Sequence, residues 1–224
     1  MKLFKVYDSE ILNVIAGKNS TFKEEFRGWI ENGFKSPPPL PVKWEVIKRW
    51  DCGTHWIETG TLWGETSEYL SKQGKKVITI EASEELASKA KEKFKNNNLV
   101  KVINGLSEDT LADAITESLN SGAKKINFWL DGHYSGEGTY QGLQDTPIMN
   151  ELAIIATRLS SFECSTILID DIRLFNSANT KHEDYPNLIK LVEWATSNNL
   201  NFAIENDVFI AGNDNEVFRK YANG

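Results

Sequence analysis

From residue 54 onward, short apolar runs rich in β-branched residues alternate with segments of helical period. The runs are apolar on both faces, as expected of parallel strands that are covered by helices on both sides. The runs lie at 55–57, 77–80, 100–103, 126–130 and 166–169, and the helical segments between them lie at 66–73, 84–96, 107–119 and 147–159. This alternation predicts an α/β fold with a doubly wound parallel sheet and right-handed crossovers.

The end of the chain departs from this rhythm. Two strand-like runs, at 201–204 and 208–211, are separated by only three residues. Because a crossover helix needs a longer connection, these runs are expected to pair as an antiparallel hairpin. The prediction is therefore a mostly parallel sheet of seven strands with an antiparallel terminal hairpin.

The first 50 residues follow a different pattern. Apolar residues at helical spacing predict a helix at 21–32, and residues 42–50 read as a second helix. The proline-rich segment 36–41 between them predicts an extended, polyproline-like connector. We interpret residues 1–50 as an N-terminal helical cap and residues 51–224 as the α/β domain.

Composition and net charge indicate which partners, cysteine chemistry and location to expect for this protein. The chain has 224 residues, a formal net charge of −7 and a pI near 5.1, which gives no electrostatic reason to expect nucleic acid as a partner. The two cysteines, Cys52 and Cys164, indicate neither a disulfide framework nor a zinc site, and both are expected to be buried thiols. Lacking a secretory signal pattern or an apolar run of spanning length, the protein is expected to be cytoplasmic and not bound to a membrane.

Ligands of open α/β sheets bind at the carboxyl ends of the strands, so the strand ends hold the candidate site residues. The first strand ends at Glu58 and continues through Gly60, Thr61 and Gly64 into a helix. Glycines let a backbone turn tightly and approach a ligand, and the following helix offers free amide donors. Glu58 is a candidate to hold the ammonium of a bound amino acid group. An ordinary strand-to-helix turn is the alternative.

The next two strand ends carry further candidate cofactor contacts. Glu81 ends the second strand, where a carboxylate can accept hydrogen bonds from both ribose hydroxyls of a nucleoside. Alone, it could equally be an exposed strand end or a helix cap. Ser107 follows the third strand and is either a cofactor contact or the N-cap of the next helix. Trp63, within the glycine turn, is a candidate cofactor contact, whereas Trp56 and Trp129 are predicted core residues.

Acidic residues end the fourth and fifth strands. Asp131 follows one apolar run, and Asp170 and Asp171 follow the other. If these strands are neighbours, the three carboxylates can converge on one divalent cation such as Mg²⁺, and without a cation they would repel one another. In the alternative interpretation, Asp170 and Asp171 cap a turn and Asp131 pairs with Arg173.

His133 leaves three interpretations open. It could be a general base, because an imidazole can accept a hydroxyl proton at neutral pH. It could instead orient Asp131, or be a loop histidine without a chemical role. The glycines at 136, 138 and 142 suit segment 133–145 to a lid or to a plain surface loop.

Taken together, these motifs resemble a known family. The spacing from Glu58 through Gly60 to Gly64, with Glu81, resembles the first two motifs of class I S-adenosylmethionine-dependent methyltransferases. The segments 130–133 and 169–171 resemble the metal-binding motifs of catechol and macrocin-type O-methyltransferases. The resemblance covers about residues 54–212 and implies a Rossmann-like methyltransferase fold.

The resemblance also implies roles for individual residues. The turn at 58–64 would hold the methionine part of S-adenosylmethionine, and Glu81 would hold its ribose. The three aspartates would bind Mg²⁺, and the Mg²⁺ ion would bind an acceptor hydroxyl. The catechol enzymes place a lysine shortly after the first metal acid, whereas this chain has His133.

The leading hypothesis is metal-assisted O-methylation of a small hydroxylated acceptor, such as a sugar or a natural-product intermediate, by a possible homodimer. An NAD-dependent oxidoreductase and a non-catalytic cofactor-binding protein of the same fold are the alternatives. The nicotinamide fingerprint GxGxxG is absent from the sequence.

Overall fold

The computed structural model describes residues 20–35, 37–132, 146–176, 178 and 185–223. Within these residues, seven strands form one sheet. The strands are β1 (His55–Thr59), β2 (Lys76–Glu81), β3 (Val100–Asn104), β4 (Lys125–Leu130), β5 (Cys164–Ile169), β6 (Asn201–Glu205) and β7 (Val208–Gly212). Each coincides with an apolar run predicted from the sequence, within two residues at either end.

The order of the strands across the sheet is β3-β2-β1-β4-β5-β7-β6. Strands β1 to β5 run parallel, and β7 pairs antiparallel with both β5 and β6. The doubly wound sheet with an antiparallel terminal hairpin is therefore confirmed. The order reverses between β1 and β4, which is the position where open α/β sheets bind their ligands.

The helices in the described ranges cover both faces of this sheet. They are α1 (Ser20–Glu31), α2 (Leu40–Trp50), α3 (Glu65–Lys72), α4 (Glu84–Phe94), α5 (Ser107–Asn120), α6 (Ile148–Ala156), α7 (Leu188–Ser197) and α8 (Asn215–Asn223), with short 3-10 turns at Leu159–Ser161 and Ile172–Leu174. The first six agree with the predicted segments. Helices α7 and α8 were not predicted from the sequence.

The proline connector is shorter than predicted. Pro39 has the extended backbone of a polyproline segment, with φ −57° and ψ 148°, but Leu40 and Pro41 already belong to α2. Proline is tolerated in the first helical turn because the N–H that it lacks has no partner within the helix at that point. The helix therefore begins inside the proline-rich segment.

Successive residues along the central strands bury opposite faces of the sheet. Ile57 and Phe128 belong to one core cluster, while their strand neighbours Trp56 and Trp129 belong to the other. Both tryptophans are almost fully buried, so their prediction as core residues is confirmed. Burial on both faces explains why the strands appear in the sequence as continuous apolar runs.

Helix α2 packs directly on one face of the sheet. Its residues Val46, Ile47 and Trp50 are fully buried in the cluster that contains Trp56 and Trp129. The indole N–H of Trp50 also donates to Glu205 Oε2 of β6 at 2.9 Å. Because three side chains and a hydrogen bond fix it, α2 holds its remaining side chains at defined positions over the sheet.

The two cysteines are free thiols, with Cys164 buried and Cys52 half-buried. The prediction of a buried thiol is therefore confirmed for Cys164 and wrong for Cys52. Within the described ranges, none of the helices has the length and apolar character needed to cross a membrane.

Candidate functional site

The carboxyl ends of β1 to β5 lie along one edge of the sheet, which we call the rim. The residue that follows a strand donates its backbone N–H to the end of the adjacent strand, so neighbouring ends are held together in register. In sheet order these bonds run from Gly105 N to Glu81 O (3.0 Å), Gly60 N to Ile80 O (2.9 Å), Asp131 N to Thr59 O (3.0 Å) and Asp170 N to Leu130 O (3.1 Å). The rim thus brings together the five strand ends on which the predicted site residues lie.

The turn after β1 requires glycine at two positions. Gly60 has φ +82°, and a Cβ placed on it would lie 2.3 Å from the backbone oxygen of Asp131. Gly64 has φ +67°, and its Cβ would lie 2.7 Å from Phe94 Cε2. Both positions have a left-handed backbone that favours glycine, and at Gly60 the close approach of the Asp131 backbone leaves no room for a side chain.

Glu81 joins the end of β2 to this glycine turn. Its Oε2 accepts a hydrogen bond from Leu62 N at 2.9 Å, and its Oε1 accepts one from Ser83 N at 2.9 Å. Leu62 has a left-handed backbone with φ +49°, which costs energy for a residue with a side chain. The charge-assisted bond to Glu81 therefore stabilises the turn and fixes the carboxylate beside it.

Glu58 lies beneath the turn and is only 2% exposed. Its Oε2 accepts hydrogen bonds from Ser67 Oγ and from Thr79 Oγ1, the latter at 2.6 Å. Thr61 Oγ1 lies 2.6 Å from the same Thr79 hydroxyl, so Thr61 belongs to this network. Burial raises the pKa of Glu58 to about 7, although the bonds from both hydroxyls oppose that shift.

Two further predicted contacts lie at the edges of the rim. Ser107 is buried and is the first residue of α5, whereas Leu106 occupies the N-cap without a side-chain bond. The alternative that Ser107 is the N-cap is therefore wrong. Trp63 is 56% exposed beside the glycine turn, and Lys89 Nζ lies over one face of its ring, 5.5 Å from the centroid.

The aspartates after β4 and β5 form a carboxylate cluster, which we define as Asp131, Asp170 and Asp171. Strands β4 and β5 are hydrogen-bonded neighbours, as the prediction required. The structure places a residue among them that the sequence did not predict, Lys43 of α2. Its Nζ donates to Asp170 Oδ2 and lies 3.2 Å from Asp171 Oδ1.

A second cation, Arg173, binds the other side of the cluster. Its Nη1 and Nη2 donate to the two oxygens of Asp171 at 2.5 and 3.0 Å, and Nη1 also donates to Asp207. The alternative in which Arg173 pairs with Asp131 is wrong in the described part of the chain, where its carboxylate partners are Asp171 and Asp207.

Burial and the neighbouring charges together shift the pKa values of Lys43 and Asp170. Burial alone lowers the pKa of Lys43, but the charges of Asp170, Asp171 and Asp131 outweigh it and raise that pKa. Burial and the charge of Asp131 raise the pKa of Asp170, and the Lys43 ammonium opposes that increase. Lys43 is accordingly held in its charged form.

The predicted Mg²⁺ site does not fit this arrangement. Lys43 holds an oxygen of Asp170 and one of Asp171, and Arg173 holds both oxygens of Asp171. Among the described residues, no group of three or more histidine, cysteine, aspartate or glutamate side chains could hold a metal ion. The sequence predicts a metal because the three aspartates would otherwise repel one another, but Lys43 already supplies the opposing positive charge.

His133 and segment 133–145 lie outside the described residues, so the candidate base and the candidate lid stay predictions. Lys43 had a detectable sequence signal. It precedes Val46, Ile47 and Trp50 by three, four and seven positions, so a lysine lies on the apolar face of a helix. Such a buried-face lysine needs an acidic partner.

No known family profile matches this sequence, and no curated protein does. Solved structures do match. An O-methyltransferase from Bacillus cereus in complex with SAH has a TM-score of 0.56 at 18% identity, with 92% of this chain and 96% of that chain covered. A putative caffeoyl-CoA O-methyltransferase from Staphylococcus aureus has a TM-score of 0.51 at 14% identity, with 90% and 96% covered. The chain therefore has the fold of the S-adenosylmethionine-dependent methyltransferases.

The contact between Gly60 and the end of β4 predicts a selective loss of stability. We expect Gly60→Ala to lower the free energy of unfolding by about 2 kcal/mol more than Gly74→Ala, measured by urea denaturation. Gly74 is the matched control because its φ is +77° but nothing lies within 4 Å of an added Cβ. Equal losses in the two variants would contradict the close approach at the rim.

The raised pKa of Glu58 predicts a pH-dependent difference in stability. The folded protein keeps this carboxyl protonated up to a pKa of about 7, whereas the unfolded chain releases the proton near 4.5. The free energy of unfolding therefore falls as pH rises between these values. Glu58→Gln removes the titrating carboxyl. As pH rises from about 4.5 to about 7, the free energy of unfolding of the variant should therefore increase relative to that of wild type, and below pH 4.5 the difference between the two should be constant.

Urea denaturation at several pH values measures this difference. Glu84→Gln, at an exposed position at the start of α4, is the control and should show no such gain. If the free energies of unfolding of Glu58→Gln and wild type change in parallel with pH, burial does not raise the pKa of Glu58 and the prediction is wrong.

Proposed function

We propose that this protein is an S-adenosylmethionine-dependent methyltransferase that transfers a methyl group to a hydroxyl of a small acceptor. The observation that carries the proposal is the bond between Leu62 N and Glu81 Oε2. It joins a tight glycine turn to a carboxylate at the end of the next strand, beside the point where the strand order reverses. An adenosine ligand with a charged amino acid tail needs both features within its own length.

Individual residues of the rim have separate roles in this proposal. The turn from Gly60 to Gly64, with Thr61, binds the methionine part through close backbone contact, and Glu58 favours its ammonium from beneath the turn. Glu81 accepts hydrogen bonds from the ribose, because each of its oxygens retains a second lone pair. Ser107 and the exposed Trp63 border the adenine. When bound, S-adenosylmethionine supplies the electrophilic methyl group.

The acceptor side of the site lies at the ends of β4 and β5. Asp131 belongs to the carboxylate cluster and its backbone contacts the glycine turn, so it can orient an acceptor hydroxyl near the cofactor. His133, two residues further on, is the proposed base that takes the hydroxyl proton. A small sugar or natural-product hydroxyl is the proposed acceptor class. The proposal gives Mg²⁺ no role, because Lys43 and Arg173 already bind Asp170 Oδ2 and both oxygens of Asp171.

The role of Glu81 predicts the effect of a neutral replacement on cofactor binding. We expect wild type to bind S-adenosylmethionine and Glu81→Gln to bind it at least about tenfold more weakly, since hydrogen bonds to a charged acceptor contribute about 1.5–3 kcal/mol. Isothermal titration calorimetry measures both affinities. Glu84→Gln should bind like wild type because Glu84 is exposed on the helix that follows.

The same titration with NAD separates the alternatives. Binding of NAD without binding of S-adenosylmethionine would refute the proposal and favour an oxidoreductase. If S-adenosylmethionine binds, transfer of a labelled methyl group to a panel of hydroxylated acceptors then distinguishes an enzyme from a non-catalytic binding protein.

A further inference from the structure

The carboxylate cluster contains its own cation. Lys43 is 127 residues away from Asp170 in sequence, yet its ammonium donates directly to that carboxylate. The side chain of Lys43 is 12% exposed and that of Asp170 is 1% exposed. This is therefore a buried ion pair, in contrast to the exposed lysine pairs elsewhere on the surface.

The packing of α2 delivers this ammonium to the cluster. Lys43 lies on the same helical face as the buried Val46, Ile47 and Trp50. Trp50 in turn packs against Phe218 and Tyr221 of α8 at centroid distances of 4.7 and 4.9 Å. A helix fixed at so many points keeps the backbone of Lys43 at one position, from which its side chain reaches Asp170.

The oxygens that Lys43 binds are those that a divalent ion would need. A hard cation at the ends of β4 and β5 would need carboxylate oxygens of Asp170 and Asp171 as ligands. Asp170 Oδ2 and Asp171 Oδ1 already face the lysine ammonium, and Arg173 binds both oxygens of Asp171 from the other side. A divalent ion at this position would have to displace Lys43 and would also be repelled by its charge.

We infer that Lys43 replaces a divalent metal as the resident cation of the Asp131, Asp170 and Asp171 cluster. The lysine neutralises and orients Asp170 and Asp171 permanently, and the cluster takes no Mg²⁺ while Lys43 is present. Lys43 is thus a positioning residue of the acceptor side. This inference rests on the proposed function only for the identity of that side; the choice of cation can be measured without turnover.

Electron paramagnetic resonance of Mn²⁺, a spectroscopic substitute for Mg²⁺, tests the inference by direct titration. We expect wild type and Asp170→Asn to bind Mn²⁺ equally weakly up to about 1 mM, the upper range for weak carboxylate sites. Lys43→Met should open the cluster and create a site at least about tenfold tighter. The double variant Lys43→Met, Asp170→Asn should lose that site again.

Lys48→Met is the matched control, because Lys48 belongs to the same helix but its side chain is 67% exposed. It should bind Mn²⁺ like wild type. The inference is overturned if wild type has an Mn²⁺ site that Asp170→Asn removes, or if folded Lys43→Met gains no site.

Further variants and a separate cofactor titration complete this test. If Lys43→Met fails to fold, the comparison of wild type with Asp170→Asn still decides whether the cluster takes a divalent ion, and Lys43→Arg should exclude Mn²⁺ as wild type does. Titration of the same wild-type sample with S-adenosylmethionine tests the proposed function separately. Absence of cofactor binding would refute that function whatever the Mn²⁺ result.

Discussion

The close approach of the β1 turn to the end of β4 is the constraint on which the site depends. Gly60 donates its N–H to Ile80 of β2, while its Cα lies against the backbone of Asp131. One residue thereby fixes three strand ends relative to one another. A side chain there would push the glycine turn away from Asp131, and the proposed cofactor side of the rim would separate from the proposed acceptor side. The geometry of the whole candidate site follows from this contact.

Electrostatic compensation is the second constraint, and it connects the N-terminal helices to the sheet. Three aspartates at adjacent strand ends would repel one another in a poorly solvated position. Lys43 from α2 and Arg173 from the segment after β5 supply the opposing charges. The helix that buries Val46, Ile47 and Trp50 therefore also completes the polar site. Helix α2 thus contributes both to the apolar core and to the charge balance of the carboxylate cluster.

Much of this arrangement was predictable because it depends on local patterns. Apolar runs gave the seven strands, the three-residue separation gave the terminal hairpin, and Glu81 was located by its place at a strand end. The local pattern places Lys43 on the apolar face of its helix, but it could not identify Asp170 as the partner, which lies 127 positions away with no spacing rule to connect them. Likewise, the proposed replacement of a metal by Lys43 depends on how a distant helix packs. The predicted base, His133, lies outside the described residues and stays a prediction.

The most direct test of the account is a crystal structure of the protein with S-adenosylhomocysteine, the product form of the proposed cofactor. The account predicts that the ligand lies along the rim, with ribose oxygens about 3 Å from the Glu81 carboxylate and its sulfur near the end of β4. A ligand bound at the opposite edge of the sheet, or with its ribose remote from Glu81, would contradict it.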